Sequence, residues 1–153
     1  AYSPFTGQHP TKIKNNQAPA LGSILKSTGN VLVTRGISNA WVETEVANTE
    51  KDKSVVGVYA GVWHPDSPLG DDGYIYNAIG EGMILVTDSG GNIEVGDYIC
   101  SSNREGHGML QDDDILRNYT VAKATQAIDF SEVQVDNDLG FKSVLIACTY
   151  HAG

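Results

Sequence analysis

The side chains able to do chemistry fall into a few groups. Glu81 stands between Gly80 and Gly82, where an apolar hairpin is predicted to begin. A carboxylate partly desolvated there would keep its proton to a higher pH and could serve as a general acid. Asp97, in the Gly96-Asp97 turn, and the run Asp112-Asp113-Asp114 offer a second acid, giving two carboxylates of unequal pKa. The plainer reading is that Glu81 bonds loop amides. The three aspartates also present oxygen ligands for Ca²⁺ or Mg²⁺, with Gln111 and Asn118 able to complete a shell. Their spacing is not that of an EF-hand, and consecutive aspartates serve equally as a solvated turn or a helix start.

Four histidines, His9, His64, His107 and His151, titrate near neutrality, and none sits at a metal-ligand spacing. His9 near the start and His151 near the end suggest a site joining the chain ends, in which His9 acts as acid or base. A surface or core hydrogen-bonding role is the simpler account. Cys100, Ser101, Ser102 and His107 have the residue types of a nucleophilic site, but the Gly-x-Ser-x-Gly elbow is absent and turn chemistry explains them. Trp41, Trp63 and seven tyrosines could stack on glycan or fill a core. No cofactor is expected.

The elements that must position these groups read as strands. Residues 1–20 carry two prolines before Thr11 and no helical period, so they are expected to form an extended arm lying on the chain's own domain or on a neighbouring copy. Residues 21–153 are expected to form one β-rich domain. Alternation over 41–46 and 55–63 predicts half-buried strands, with Gly57 and Gly61 admitting another backbone. Val56, Val58, Ala60 and Val62 should share a face. The dense turn formers of 64–73 predict an exposed loop. Residues 82–87 and 93–95 read as a hairpin about a turn at 88–92. Further strands are expected over 98–100, 119–125, 128–135 and 141–150, with at most one short helix, at 112–118. Similarity between residues 22–30 and 82–92 suggests two similar β-units. The expected class is all-β, a compact antiparallel sandwich or barrel.

With 153 residues the chain can bury roughly two thirds of its unfolded surface in one core. Nineteen acidic against ten basic residues give a net charge of -9, which disfavours nucleic acid and anionic membrane as partners. The longest apolar runs are too short to cross a bilayer. Cys100 and Cys148 lie in apolar strands and are expected to stay unpaired.

The blocks Gly96-Asp97-Tyr98-Ile99, Gly106-His107-Gly108, Gln111 to Asp114 and Asn118-Tyr119-Thr120-Val121-Ala122-Lys123, with Phe5 to His9 and Gly80-Glu81-Gly82, carry a resemblance. In this order they resemble the C-terminal domain of certain phage and large-virus tail-fibre proteins, in a pattern related to the neck-appendage type. The resemblance implies a homotrimeric module in the virion, folded in the host cytoplasm. It would act as an intramolecular chaperone for the upstream fibre segment of the same chain. Some such domains release themselves with a pair of acidic residues, for which Glu81, Asp97 and Asp112 are the candidates here. The alternative it implies is a receptor-binding tip, with the loops at 64–73 and 101–111 contacting host glycan or protein.

Overall fold

A computed structural model describes residues 7–34, 36–63, 67–70 and 72–152. Strands dominate, and the helical content of the described residues is three single turns of 3₁₀-helix at Lys14–Asn16, Asp88–Gly90 and Phe130–Glu132. The all-β expectation is met. Its one expected helix, at 112–118, is absent; bends and a turn occupy that stretch instead.

The first half of the chain builds an open sheet from β1 (Gln8–Thr11), β2 (Ile24–Thr34), β3 (Ala40–Val46), β4 (Val55–Val62) and β5 (Tyr74–Asn77). The spatial order is β1-β5-β4-β2-β3, and all its pairings are antiparallel. The second half supplies β6 (Ile79–Val86), β7 (Tyr98–Ser101), β8 (Gly108–Leu110), β9 (Thr120–Ala124), β10 (Val135–Asp136), β11 (Phe141–Lys142) and β12 (Val144–His151). Of these, β12-β6-β8-β7-β9 close a five-stranded barrel, and β10 and β11 form a small separate hairpin. Among the barrel's strand pairings only β6–β8 is parallel. The chain thus contains two β-units, but their topologies differ: one sheet is open and the other closed.

The predicted hairpin across 82–95 does not form. β6 pairs instead along its whole length with β12, from Val144↔Val86 to His151↔Ile79. Ile93 makes an isolated bridge to Ile128. A long apolar strand bonds to whichever strand offers the longest matching register, and β12 offers eight residues where 93–95 offers three. The expected strand over 128–135 is likewise replaced by the Phe130–Glu132 turn and the short β10.

One apolar cluster joins the two units. Ile24, Ala47, Val55 and Val58 from the sheet pack with Ile84, Val86, Ile99, Val121, Ala124, Ile146 and Cys148 from the barrel. Each fully buried aliphatic side chain contributes about 1.5–3 kcal/mol relative to exposure. The alternation read along β4 slips by one residue. A register shift between Leu25↔Gly57 and Lys26↔Val55 brings Val55 and Val58 to the barrel, while Val56 packs on the opposite face with Tyr59. A Cβ at Gly57 would lie 2.3 Å from the Asn77 carbonyl oxygen, so the close approach predicted there is real. Gly61 instead sits at a register shift against β5, with φ +132°.

The N-terminal stretch is part of the sheet rather than a separate arm. β1 pairs with β5, and Ile13 is buried with Leu25, Tyr59 and Tyr74 on the face away from the barrel. Buried Thr11 reaches Thr44 Oγ1 at 3.1 Å and donates to the Val42 carbonyl at 2.8 Å. Residues 1–6, with Phe5, lie outside the described residues, as do 64–66, with His64, and 71; of the rest of the 64–73 loop, expected to be exposed, Ser67, Leu69 and Gly73 are buried. The 101–111 loop, expected to be exposed, is largely interior: Ser101, Ser102, His107 and Gln111 are all buried.

Beyond Ser27 the β2–β3 pair leaves the sheet. β2 meets β4 only through Ile24, Leu25 and Lys26, whereas its pairing with β3 runs on to Thr34↔Ala40. From Thr28 to Glu43 no described residue is buried. Val31 is 54% exposed and Ile37 fully exposed, with Leu32 and Val33 half-buried.

Candidate functional site

The acidic candidates divide between two surfaces. Glu81 lies on the outer face of β6, exposed, with Thr149 of β12 opposite; it is not desolvated between its glycines. Thr149 in turn faces Lys123 of β9, and Lys123 faces Tyr98 of β7. Glu81, on β6, and the Asp97 turn, before β7, thus lie on strands that are not neighbours in the barrel, and no hydrogen bond joins them.

Asp97 and the three aspartates do come together. Both line an open depression of about 400 Å³ with Asn92, Glu94, Leu110 and Gln111. Three of the carboxylates there, Asp97, Asp112 and Asp113, already have structural partners. Asp97 accepts from the Glu94 amide at 2.8 Å, closing the Gly96 turn. Asp112 receives Lys51 Nζ at 2.8 Å. Asp113 accepts from Gln111 Nε2 at 2.8 Å and from Arg117 at 2.9 Å, bonds that hold its carboxyl below the usual range. Among the described residues no group of three His, Cys, Asp or Glu side chains is placed to hold a metal ion.

The chain ends converge as expected, but through the backbone. Ala78 donates to the Gly7 carbonyl and accepts from the Ala152 amide. The rings of the two histidines turn elsewhere: His9 packs on Tyr76 at 5.4 Å and His151 on Tyr98 at 6.1 Å. His9 is exposed, yet partial desolvation of its ring lowers its pKa. Cys100 and Cys148 are free and buried, and burial pushes their thiols up to about 11 and about 12, leaving them unreactive.

A cleft of about 660 Å³ opens between the 13–20 stretch, the end of β3, the 104–107 turn and the β10–β11 hairpin. On its wall His107 Nε2 lies 2.6 Å from Ser143 Oγ, while Nδ1 lies 2.7 Å from the Glu105 carbonyl oxygen. A carbonyl oxygen can only accept, so Nδ1 carries the proton and the Nε2 lone pair faces the serine hydroxyl. The imidazole is held from every side. Its ring meets Phe141 edge-on at 4.9 Å, its amide donates to the Arg104 carbonyl at 3.0 Å, and its carbonyl accepts from Ser102 N and Oγ. Burial, with the nearby Arg104 guanidinium, lowers the His107 pKa against the opposing effects of the Glu105 carbonyl and Asp136, so the ring is neutral at pH 7.

Ser143 is fixed by its neighbours. The Lys142 carbonyl accepts from Thr87 Oγ1 at 2.7 Å, Lys142 Nζ donates to the Phe130 carbonyl at 2.6 Å, and Val144 enters the barrel opposite Val86. The hydroxyls next to His107 in sequence do other work: Ser101 Oγ donates to the Thr49 carbonyl, anchoring the β3–β4 connection on β7, and Ser102 Oγ donates to the His107 carbonyl. The turn chemistry expected of Ser101 and Ser102 is what the structure shows, while the hydroxyl beside the His107 ring is that of Ser143. Ser143 is 36 residues away, in a strand break without a motif, so only the closure of the barrel brings the two together.

Comparison with protein-family models, with curated proteins and with solved structures finds no match to this chain.

Proposed function

We propose that this chain is the globular end domain of a viral tail-fibre or tailspike protein, acting as a homotrimerisation module and intramolecular chaperone for the fibre segment upstream. The observation that carries the reading is the distal β2–β3 hairpin, sixteen positions from Thr28 to Glu43 without a buried described residue. An isolated two-stranded hairpin is marginal in water, and a strand pair with Val31, Leu32, Val33 and Ile37 needs a surface to lie on. A second copy supplies one of the right kind. The outer face of β6 and β12 exposes Ile79, Met83 and Leu145, with Leu21 beside them. A hairpin of one copy laid on this stripe of the next is a head-to-tail contact, which closes into a ring when the rotation allows it.

The chaperone role follows from chain topology. A long β-fibre folds slowly because its contacts are distant in sequence, and a terminal domain that trimerises raises the effective concentration of the three chains. The acidic-pair route to self-release gains no geometric support from Glu81 and Asp97, which lie apart. Virion localisation belongs to the same proposal. Among the described residues no helix is long and apolar enough to cross a membrane.

The test is to express the upstream fibre segment with and without this domain. The reading expects detergent-resistant trimers of the upstream segment only when the domain is translated with it. Equal trimer yield without the domain contradicts it, and the intact mass of the product reports any cut before Ala1.

A further inference from the structure

We propose that Ser143 and His107 form a nucleophile and general base, and that the cleft holding them hydrolyses carboxylic esters with a small apolar acyl group. The inference is independent of the fibre-end reading and rests on geometry. The serine hydroxyl and the imidazole are within 2.6 Å, and a third group, the Glu105 carbonyl at 2.7 Å, fixes the tautomer that leaves Nε2 free to take a proton. The other buried hydroxyls near the histidine are committed to backbone carbonyls. The dyad lines a cleft of about 660 Å³, a volume that suits a small molecule.

The walls define the substrate. Val46, Leu85 and Leu139 provide apolar surface, while Asn15, Gln17 and Asn48, with Lys14 paired to Glu45 at 3.7 Å, are side-chain donors lining the same cleft from which a developing oxyanion could draw. No carboxylate bonds Nδ1, so the imidazolium formed during the reaction is stabilised by the neutral Glu105 carbonyl dipole and, without a hydrogen bond, by the charge of Asp136. A dyad of this strength suits an ester, whose alkoxide leaves more readily than an amine from a peptide. In the first step Ser143 Oγ bonds to the acyl carbon, its proton passes to Nε2, and the carbonyl electron pair moves onto oxygen. Collapse of this intermediate breaks the bond to the alcohol oxygen, which takes the proton from Nε2. Water then repeats the sequence on the acyl-serine, releasing the carboxylic acid and restoring the hydroxyl.

The experiment treats the purified chain with a fluorophosphonate probe and with p-nitrophenyl butyrate. The proposal expects one adduct per chain, on the peptide containing Ser143, and ester hydrolysis that falls to background in Ser143→Ala and about 100-fold in His107→Gln. Because His107 is buried and His107→Gln could unfold the chain, Ser143→Cys provides a second reading. With His107 in place its thiol should react with iodoacetamide with a midpoint pH below the ordinary thiol value of about 8.5. Absence of a Ser143 adduct, hydrolysis unchanged in Ser143→Ala, or an ordinary thiol midpoint in Ser143→Cys overturns the assignment.

Discussion

The barrel and the distal β2–β3 hairpin are made of the same kind of residue and have opposite fates. In β12 the pattern sends Ile146, Cys148 and Tyr150 inward, each 4% exposed or less, against Ile84 and Val86 from β6. In the hairpin Val31, Leu32 and Val33 are as apolar, but the register against β3 shifts on both sides of Val31, and none of the three is buried within the described residues. Closure makes the difference. Barrel strands gain two partners each and a shared interior, whereas the hairpin has one partner strand and two wet faces. An apolar strand therefore specifies that a face will be covered, but not by which chain.

The largest expected effect falls on the barrel. Ile146→Ala leaves a cavity in a fully buried site and should lower unfolding free energy by about 3 kcal/mol, read from urea denaturation. The matching change in the hairpin, the double variant Val31→Ser with Ile37→Ser, should leave the stability of the isolated chain within about 0.5 kcal/mol. The same variant should weaken self-association at least about tenfold by sedimentation equilibrium. If it instead destabilises the chain as much as Ile146→Ala, the hairpin is covered within its own domain and the contrast fails.

How far the sequence could anticipate this contrast depends on the reach of each signal. Strands β3, β4, β7 and β9 were legible because alternation and turn residues act within a few positions. The 82–95 hairpin was misread because local turn chemistry points to the nearest strand, while the true partner of β6 begins at Val144. Open sheet and closed barrel were not distinguishable, since closure is a property of pairings far apart in the chain. In the cleft, His107 was visible as a titratable residue near serines. Ser143 was not, because a serine before a strand carries no signal of the imidazole that barrel closure brings to it.

A smaller effect sharpens the barrel side. The His107 pKa is lowered in the folded state from an ordinary 6.5, so above pH 6.5 both folded and unfolded chains hold the ring neutral and stability is complete. Below 6.5 the unfolded chain binds a proton that the folded chain refuses, and stability falls as pH drops toward the folded pKa. His9 contributes with the same sign. His107→Gln should flatten the slope of unfolding free energy between pH 6.5 and 5, and His9→Gln should remove part of the remainder. A slope unchanged in both would place these rings in water.

The smallest expected effect concerns charge at the hairpin contact. With a net charge of -9 per chain, copies repel at long range, and salt screens that repulsion within about 8 Å at physiological ionic strength. Raising sodium chloride from 50 to 300 mM should tighten self-association by a few-fold. Weakening by salt would instead point to a contact held by ion pairs rather than by Val31, Ile37 and the Ile79, Met83 and Leu145 stripe.

The central claim, that the uncovered hairpin is covered by another copy, is tested most directly by light scattering of the purified chain at micromolar concentration. The account predicts a particle of three times the 16.4 kDa chain mass. A single 16.4 kDa species across that concentration range would contradict it.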